Sequence, residues 1–234
     1  KQFLKKINSY LRQIKKQIMI LVVDVGNSRI KAAVFEGAIL FEIFVFSEIE
    51  LQKNIENILK KFEKITDLVV SSVGDVEKQS FLLYNKVSNV HFLSHEDPFP
   101  FQNRYATPKT LAIDRMVLAA GATLQFPNQN RLVIDAGTCV TYDFIDEENN
   151  YLGGAIAPGL RLRYEALHNF TAKLPLLSLE SPKDFIGTST SESIHSGVVN
   201  GFVYEIDGFI DEYKARYSNF IIILTGGDTD FLAK

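Results

Sequence analysis

The sequence has a single cysteine, Cys139. That excludes an intramolecular disulfide framework and any multi-cysteine metal site, and it fits a reducing cytoplasm, where the protein is expected. Excess charge of one sign is also missing. The 25 Lys and Arg residues against 28 Asp and Glu give a formal net charge of -3, so no nucleic-acid partner held by bulk charge is expected. No apolar run is long enough to span a bilayer. The densest, Phe220–Leu224, has the length of a strand, and no membrane partner is expected. Two common nucleotide signatures are absent as well. No glycine is followed by lysine, which excludes a Walker-type loop, and no two glycines stand two apart, which excludes a dinucleotide fingerprint. The 234 residues, 46% hydrophobic and 23% charged, form an ordinary globular mix that excludes a disordered chain and suits one large or two small domains.

Both ends are unusual. The first methionine is Met19, and residues 1–18 carry six basic side chains and no acid. Phe3, Leu4, Ile7, Leu11, Ile14 and Ile18 form a helical apolar stripe. A basic helix that lies on a membrane surface or a partner is one reading. An upstream extension before a start at Met19, or an extra helix docked on the domain, is the other. It is preferred because a strong strand begins at Met19. Charges interleaved with the apolar positions do not fit a secretory signal. At the other end, Thr225-Gly-Gly-Asp228 starts a loop-to-helix turn six residues before the chain stops, so the last helix is expected to be truncated.

The middle contains a repeat. Leu21-Val-Val-Asp-Val-Gly-Asn27 and Leu132-Val-Ile-Asp-Ala-Gly-Thr138 share four of seven residues at an offset of 111. The first copy continues as Arg29–Phe35, a turn at Glu36-Gly37, and Ala38–Phe46. The second continues as Cys139–Ile145, a turn at Asp146–Asn150, and Tyr151–Ile156. Each copy reads as three strands joined by tight turns, which predicts two homologous lobes. Helices are expected over Ile49–Lys64, Arg115–Phe126, Leu160–Phe170 and Thr190–Tyr217, with further strands at Leu68–Val73 and Phe220–Leu224. The result is an α/β protein with mixed sheets and helices packed on them. The polar stretch Pro127–Arg131 is the expected lobe boundary.

A strand that ends in Asp-x-Gly followed by a small polar residue offers exposed backbone N–H groups, a nest for phosphate oxygens. The aspartate itself suits a cation or its water shell. Two such turns with Asn27, Ser28, Thr138 and Lys31 nearby, plus Thr225-Gly-Gly-Asp228 after a third apolar strand, point to a bound nucleotide.

The runs Asp24-x-Gly-Asn-Ser-x-x-Lys31, Asp135-Ala-Gly-Thr138 with Thr141 and Asp143, and Thr225-Gly-Gly227 resemble the phosphate and nucleoside motifs of the acetate kinase, sugar kinase and actin superfamily. Within it the chain resembles the type III pantothenate kinase family. The carrying segments are Tyr105-Ala-Thr-Pro-Lys-Thr-Leu-Ala-Ile-Asp-Arg115, Gly153-Gly-Ala-Ile-Ala-Pro-Gly159 and Ile186-Gly-Thr-Ser-Thr190 continuing to Gly197-Val-Val-Asn-Gly201. They match in order and spacing across about Met19–Asp228. Two positions depart from the family pattern: Ala112 stands where the family has glycine, and Cys139 where it has alanine.

The resemblance implies two duplicated actin-like, ribonuclease H-like lobes with mixed sheets and an interlobe cleft, spanning 19–127 and 128–234. It implies transfer of the γ-phosphoryl group of ATP to the primary hydroxyl of pantothenate, in a homodimer. Asp24, Val25, Gly26, Asn27, Ser28, Arg29, Ile30, Lys31 and Thr138 are then the ATP-binding residues. Asp24 organises magnesium through water, and Asp135 holds a monovalent cation, potassium or ammonium. Tyr105, Ala112, Ile113, Asp114, Arg115 and Thr190 line the substrate pocket. Phosphoryl transfer to an alcohol needs positioning, charge neutralisation and a carboxylate that takes or orients the hydroxyl proton. Asp114 is the candidate, beside Arg115, whose planar fork suits a substrate carboxylate. The plainer reading of Asp114-Arg115 is an acidic residue placed on a helix N-terminus. Thr190 has a plainer reading too, as a helix cap.

Other residues carry less. Asp143 is either a group behind the contact residues or a strand residue that faces solvent. Gly153-Gly154 and Pro158-Gly159 are either a turn and a helix start or a wall of the substrate cavity. His91 and His95 with Asp97 read as loop or surface residues, and His168 and His195 as surface or helix-face residues. Another small-molecule kinase and a non-catalytic regulatory homologue are the competing functions. Asp24, Asp114, Asp135 and Lys31 together argue against lost catalysis.

Overall fold

The computed structural model describes residues 19–26, 28–72, 81 and 87–233. The basic stretch 1–18 and Asn27 lie outside the described residues. The chain divides into two compact units, one made of residues up to Asp97 with Ala112–Asp114, the other of Pro98–Leu111 with the residues from Arg115 onward.

In the first unit, β1 (Met19–Val25), β2 (Ile30–Glu36) and β3 (Ile39–Phe46) form an antiparallel meander. Helix α1 (Leu51–Lys61) then returns the chain to β4 (Ile65–Ser72), parallel to β1, and β5 (Asn89–Phe92) adds in parallel beside β4. The sheet order is β3-β2-β1-β4-β5. Period-2 alternation explains the burial in β1: Met19, Leu21, Val23 and Val25 are buried, whereas Ile20, Val22 and Asp24 are only half-buried. The buried set packs with Ile55, Ile58 and Leu59 of α1 in one core. That helix starts later than its periodicity predicts. Ser47 and Glu50 form a capping box (Ser47 N–H to Glu50 Oε2, 3.1 Å) that spends Glu48–Glu50 on a 3-10 turn.

The second unit repeats the plan. Strands β7 (Asn130–Ala136), β8 (Cys139–Ile145) and β9 (Asn150–Pro158) form the same antiparallel meander, and β10 (Phe220–Thr225) lies parallel to β7. The sequence repeat is therefore a structural one. A two-residue strand absent from the sequence reading, β6 (Gln102–Asn103), extends the sheet to β10-β7-β8-β9-β6. Its pairing with β9 draws residues 98–111 into this unit, so the compact units part well before the polar stretch at 127–131. Helix α2 (Ile113–Gln125) begins two residues earlier than expected, which puts Asp114 and Arg115 in its first turn. Helix α3 (Leu160–Asn169) follows β9.

The expected single helix over Thr190–Tyr217 is interrupted. It consists of α4 (Thr190–His195), a π-helical segment at Ser196–Asn200, and α5 (Gly201–Arg216). Two hydrogen bonds fasten the wide turn. Ser196 Oγ donates to the Phe185 carbonyl (2.5 Å), and Asn200 Nδ2 donates back to Ser196 Oγ (3.1 Å). Aromatic stacking closes the core: Tyr142 lies on Phe209 with centroids 4.1 Å apart, and Phe144 on Tyr213 at 4.9 Å. A short helix, α6 (Thr229–Leu232), follows β10, as the Gly-Gly turn predicts.

Candidate active site

In the first unit the site is built on the β1–β2 hairpin. Asp24 pairs with Lys31 across the antiparallel ladder and with Ser71 across the parallel one. The hairpin turn is tight at Gly26: its N–H donates to the Arg29 carbonyl at 3.2 Å, and an added Cβ would lie 3.2 Å from that oxygen, so a side chain there would push the carbonyl back by a few tenths of an ångström. Ser28, Arg29 and Lys31 are exposed, Val25 and Ile30 are buried, and Gly26 is half-buried. The Asp24 carboxyl is pushed above its ordinary range. Burial is the main cause. The Lys31 charge opposes it, the Asp114 charge adds to it, and the Ser71 hydroxyl opposes it. Asp24 and Asp114, far apart in sequence, therefore stand within electrostatic reach of each other. Two carboxylates that repel at a half-buried position are a donor set that a divalent cation would stabilise.

In the second unit the other Asp-x-Gly turn is clamped by backbone. The Gly137 N–H donates to the Cys139 carbonyl (2.9 Å), and the Gly159 N–H to the Thr138 carbonyl (3.1 Å). The Thr225-Gly-Gly turn closes from another strand. Asp135 is opposite Thr225 in the β7–β10 ladder, and the Asp228 N–H donates to the Ala136 carbonyl at 3.0 Å. Gly226 holds φ of +102°, and a Cβ there would lie 2.2 Å from the same carbonyl oxygen, so only glycine fits. Asp135 and Thr138 are half-buried in this cradle, and Cys139 is exposed beside it. Burial raises the Asp228 carboxyl above its ordinary range.

The remaining candidates cluster around Arg115. The guanidinium is 5% exposed and binds Asp143, itself fully buried, through Nε (2.9 Å) and Nη2 (2.6 Å). Burial works against the Arg115 charge, but the hydrogen bonds and attraction of Asp143 outweigh it and hold the proton more firmly than usual. The Tyr151 hydroxyl donates to the same Asp143 oxygen, and Thr141 Oγ1 donates to the other at 3.0 Å. The Tyr105 ring stacks 5.9 Å from the Arg115 guanidinium carbon. Gly153 makes room for that ring: its φ is +103°, and a Cβ would lie 3.2 Å from the Tyr105 edge. Gly154 allows the β8 backbone to approach, since its Cβ would meet the Tyr142 carbonyl oxygen at 1.4 Å. The Gly-Gly pair is thus neither a simple turn nor a bare wall.

The structure brings Asp24, Lys31 and Asp114 together, and separately Tyr105 and Arg115. Ala112 is exposed and Ile113 buried at the start of α2. Thr190 opens α4 on a cavity of about 820 Å3, whose lining includes Arg163, Gly187 and Ser193 but neither Tyr105 nor Arg115. The cap of that helix is Ser189, whose hydroxyl accepts from the Glu192 N–H at 3.3 Å, so the capping role read onto Thr190 belongs to its neighbour. His91 forms an exposed pair with Asp97 (2.8 Å), and no group of three metal-binding side chains occurs among the described residues. His195 is half-buried and shares a hydrogen bond with the Tyr164 hydroxyl (2.8 Å). Of the two readings left open for Asp143, the structure supports a group behind the contact residues. It faces the interior, not solvent. Its signal was weak: a single acid in the apolar β8 run, whose charged partner Arg115 lies 28 residues away.

A family model described as type III pantothenate kinase matches residues 20–212. A type III pantothenate kinase of Flavobacterium johnsoniae is 74% identical over 216 residues, 92% of this chain and 88% of that protein. The one from Flavobacterium psychrophilum is 59% identical over 92% of this chain and 90% of its own. One from Bacteroides fragilis is 38% identical over 90% and 86%. Among solved structures, a Campylobacter jejuni protein provisionally assigned as a Baf family transcriptional activator superposes with a TM-score of 0.57 at 23% identity, covering 91% of this chain and 86% of its own. A provisional N-acetylmannosamine kinase from Listeria monocytogenes superposes at 0.51 and 13%, covering 92% and 87%. At such identities these two show the fold alone.

Proposed function

The chain belongs to the type III pantothenate kinase family, and on that premise we propose that it transfers the γ-phosphoryl group of ATP to the primary hydroxyl of pantothenate. The product is 4'-phosphopantothenate, and the reaction is the first step of coenzyme A biosynthesis. The observation that carries the reading onto particular residues is the coupling of Asp24 with Asp114. One carboxylate at the end of β1 and another in the first turn of α2 are what a metal-assisted transfer to an alcohol requires.

Asp114 accepts or orients the proton of the attacking hydroxyl. Asp24 would hold, through water, the magnesium ion that accompanies ATP, and the ion would supply charge neutralisation for the transferred group. Asn27, Ser28 and Lys31 of the first turn, and Thr138 of the second, bind phosphate oxygens, while Gly26 closes the first turn on the Arg29 carbonyl. Val25, Arg29 and Ile30 complete the hairpin that presents them. Arg115 and Tyr105 bind the acid end of pantothenate, with Ala112 and Ile113 at the start of α2 as further lining, whereas Thr190 lines a cavity that includes neither Tyr105 nor Arg115. Asp135 binds potassium or ammonium, and the working form is a homodimer in the cytoplasm. Among the described residues, no helix is long and apolar enough to cross a membrane.

The test is ADP release that depends on pantothenate. Asp114→Asn keeps the shape of the side chain and should lower kcat by about 10²- to 10⁴-fold, the usual worth of a positioned proton acceptor. Turnover of another alcohol but not pantothenate would change the substrate, and near wild-type activity of the variant would remove Asp114 from the reaction.

A further inference from the structure

Asp143 has more partners than an ion pair requires. Its Oδ1 accepts from Arg115 Nε at 2.9 Å, Arg115 Nη2 at 2.6 Å and the Tyr151 hydroxyl at 2.5 Å, and its Oδ2 accepts from Thr141 Oγ1 at 3.0 Å. The side chains of Arg115 and Asp143 are 6% and 0% exposed. Two N–H groups converging on one carboxylate oxygen, with the second oxygen tied to Thr141, leave the guanidinium plane little freedom. On the other side the Tyr105 ring lies 5.9 Å from the guanidinium carbon and is itself seated on Gly153. Stability alone does not account for such a network, because a buried ion pair can often be replaced by apolar residues at no loss. A network that fixes one rotamer of a binding group is accounted for by function.

We propose that Asp143 is a positioning residue for the acceptor substrate. It sets the orientation of Arg115, and with it the first turn of α2 in which Asp114 precedes Arg115, while Tyr151 and Thr141 hold Asp143 itself. Asp143 touches neither substrate nor nucleotide. Its removal therefore weakens pantothenate binding and leaves ATP binding intact. The proposal rests on the pantothenate kinase reading and extends it to a residue behind the contact side chains.

The test is a set of Michaelis constants for both substrates on the full chain. Asp143→Asn keeps shape and removes charge, and should raise KM for pantothenate by about 10- to 100-fold, the scale of a misplaced binding group. Tyr151→Phe keeps the ring and deletes one donor to the carboxylate. It should raise the same constant by about 3- to 10-fold, roughly the net worth of one ordinary hydrogen bond. KM for ATP should stay within about two-fold in both, since the nucleotide contacts are elsewhere in the chain. If both constants rise together with a lower melting temperature, the network is only a structural staple and the proposal falls. It falls equally if neither constant moves. Should Asp143→Asn fail to fold, Tyr151→Phe decides alone. Pantothenate-dependent turnover by the wild-type chain, measured in the same series, tests the underlying reading separately.

Discussion

Gly159 is the sharpest place to test whether the second Asp-x-Gly turn handles phosphate. Its backbone is ordinary, with φ of -71° and ψ of 176°, so alanine meets no conformational penalty there. Space is the only obstacle. A Cβ would lie 2.0 Å from the Gly137 carbonyl oxygen and 2.7 Å from that of Thr138, where real Cβ contacts stay beyond 3.0 Å. Both neighbours are backbone and cannot rotate away. The turn at Gly137-Thr138 or the start of α3 must therefore shift by about 1 Å, and the bond from the Gly159 N–H to Thr138 is strained with it. A shift of about 1 Å in a positioning group is worth roughly 100-fold in rate, and overpacking of this kind costs about 1–3 kcal/mol of stability. Gly159→Ala should thus lower kcat/KM for ATP by about 100-fold, with a modest drop in melting temperature. Gly121→Ala is the control. It lies inside α2 with nothing within 4 Å of the added Cβ, and should stabilise the protein by about 0.5–1 kcal/mol without touching turnover. Steady-state kinetics and thermal unfolding on the two variants suffice. Wild-type ATP kinetics in a folded Gly159→Ala protein would refute the assignment of this turn to the nucleotide.

Two further outcomes follow from the acidic residues. Burial, opposed by the Lys31 charge and reinforced by the Asp114 charge, raises the Asp24 carboxyl above its ordinary value, so the folded state disfavours its charged form. Asp24→Asn should raise the melting temperature at neutral pH while abolishing turnover, because the penalty exists only where the carboxylate is charged. That gain should shrink as pH falls through the folded value and vanish below 3.8, where both states are neutral; a melting curve series from pH 7 to about 3 checks it. Replacement of potassium and ammonium by sodium should depress the kinase rate, and an unchanged rate would remove Asp135 from cation binding.

Much of the fold was legible because its signals are local. The apolar run that begins at Met19 marked a strand, and the repeated Asp-x-Gly phrase predicted that β7–β9 would copy β1–β3. Where tertiary contacts decide, local pattern gave the wrong boundary. The π segment at Ser196–Asn200 depends on the Phe185 carbonyl, which no stripe of Val198, Val199 and Phe202 reveals. Strand β6 has two residues and exists only because β9 offers it a free edge. The same division runs through the site. Asp24 and Lys31 sit opposite each other because a tight turn at Gly26 fixes the hairpin register, and that is written in the spacing. Proximity of Asp24 to Asp114, and the capture of Arg115 by Asp143, depend on how the chain folds back across many residues, and no short pattern encodes them.

The glycines show how the two kinds of information meet. Gly159 and Gly226 stand far apart in the chain, yet each is required by the backbone of one turn, Ala136–Thr138. Either would read on its own as a loop residue. A side chain at Gly226 would strike Ala136, and one at Gly159 would strike Gly137 and Thr138, so both segments lie in direct contact with the strand end that carries Asp135. Close backbone approach from two sides leaves this turn little freedom to move. Rigid N–H groups are what phosphate recognition needs, because donors fixed in advance lose little entropy when the ligand arrives. The motif spacing in the sequence is thus the trace of a steric condition. Gly226 after β10 and Gly159 after β9 have no room for a side chain because each packs its backbone against this turn.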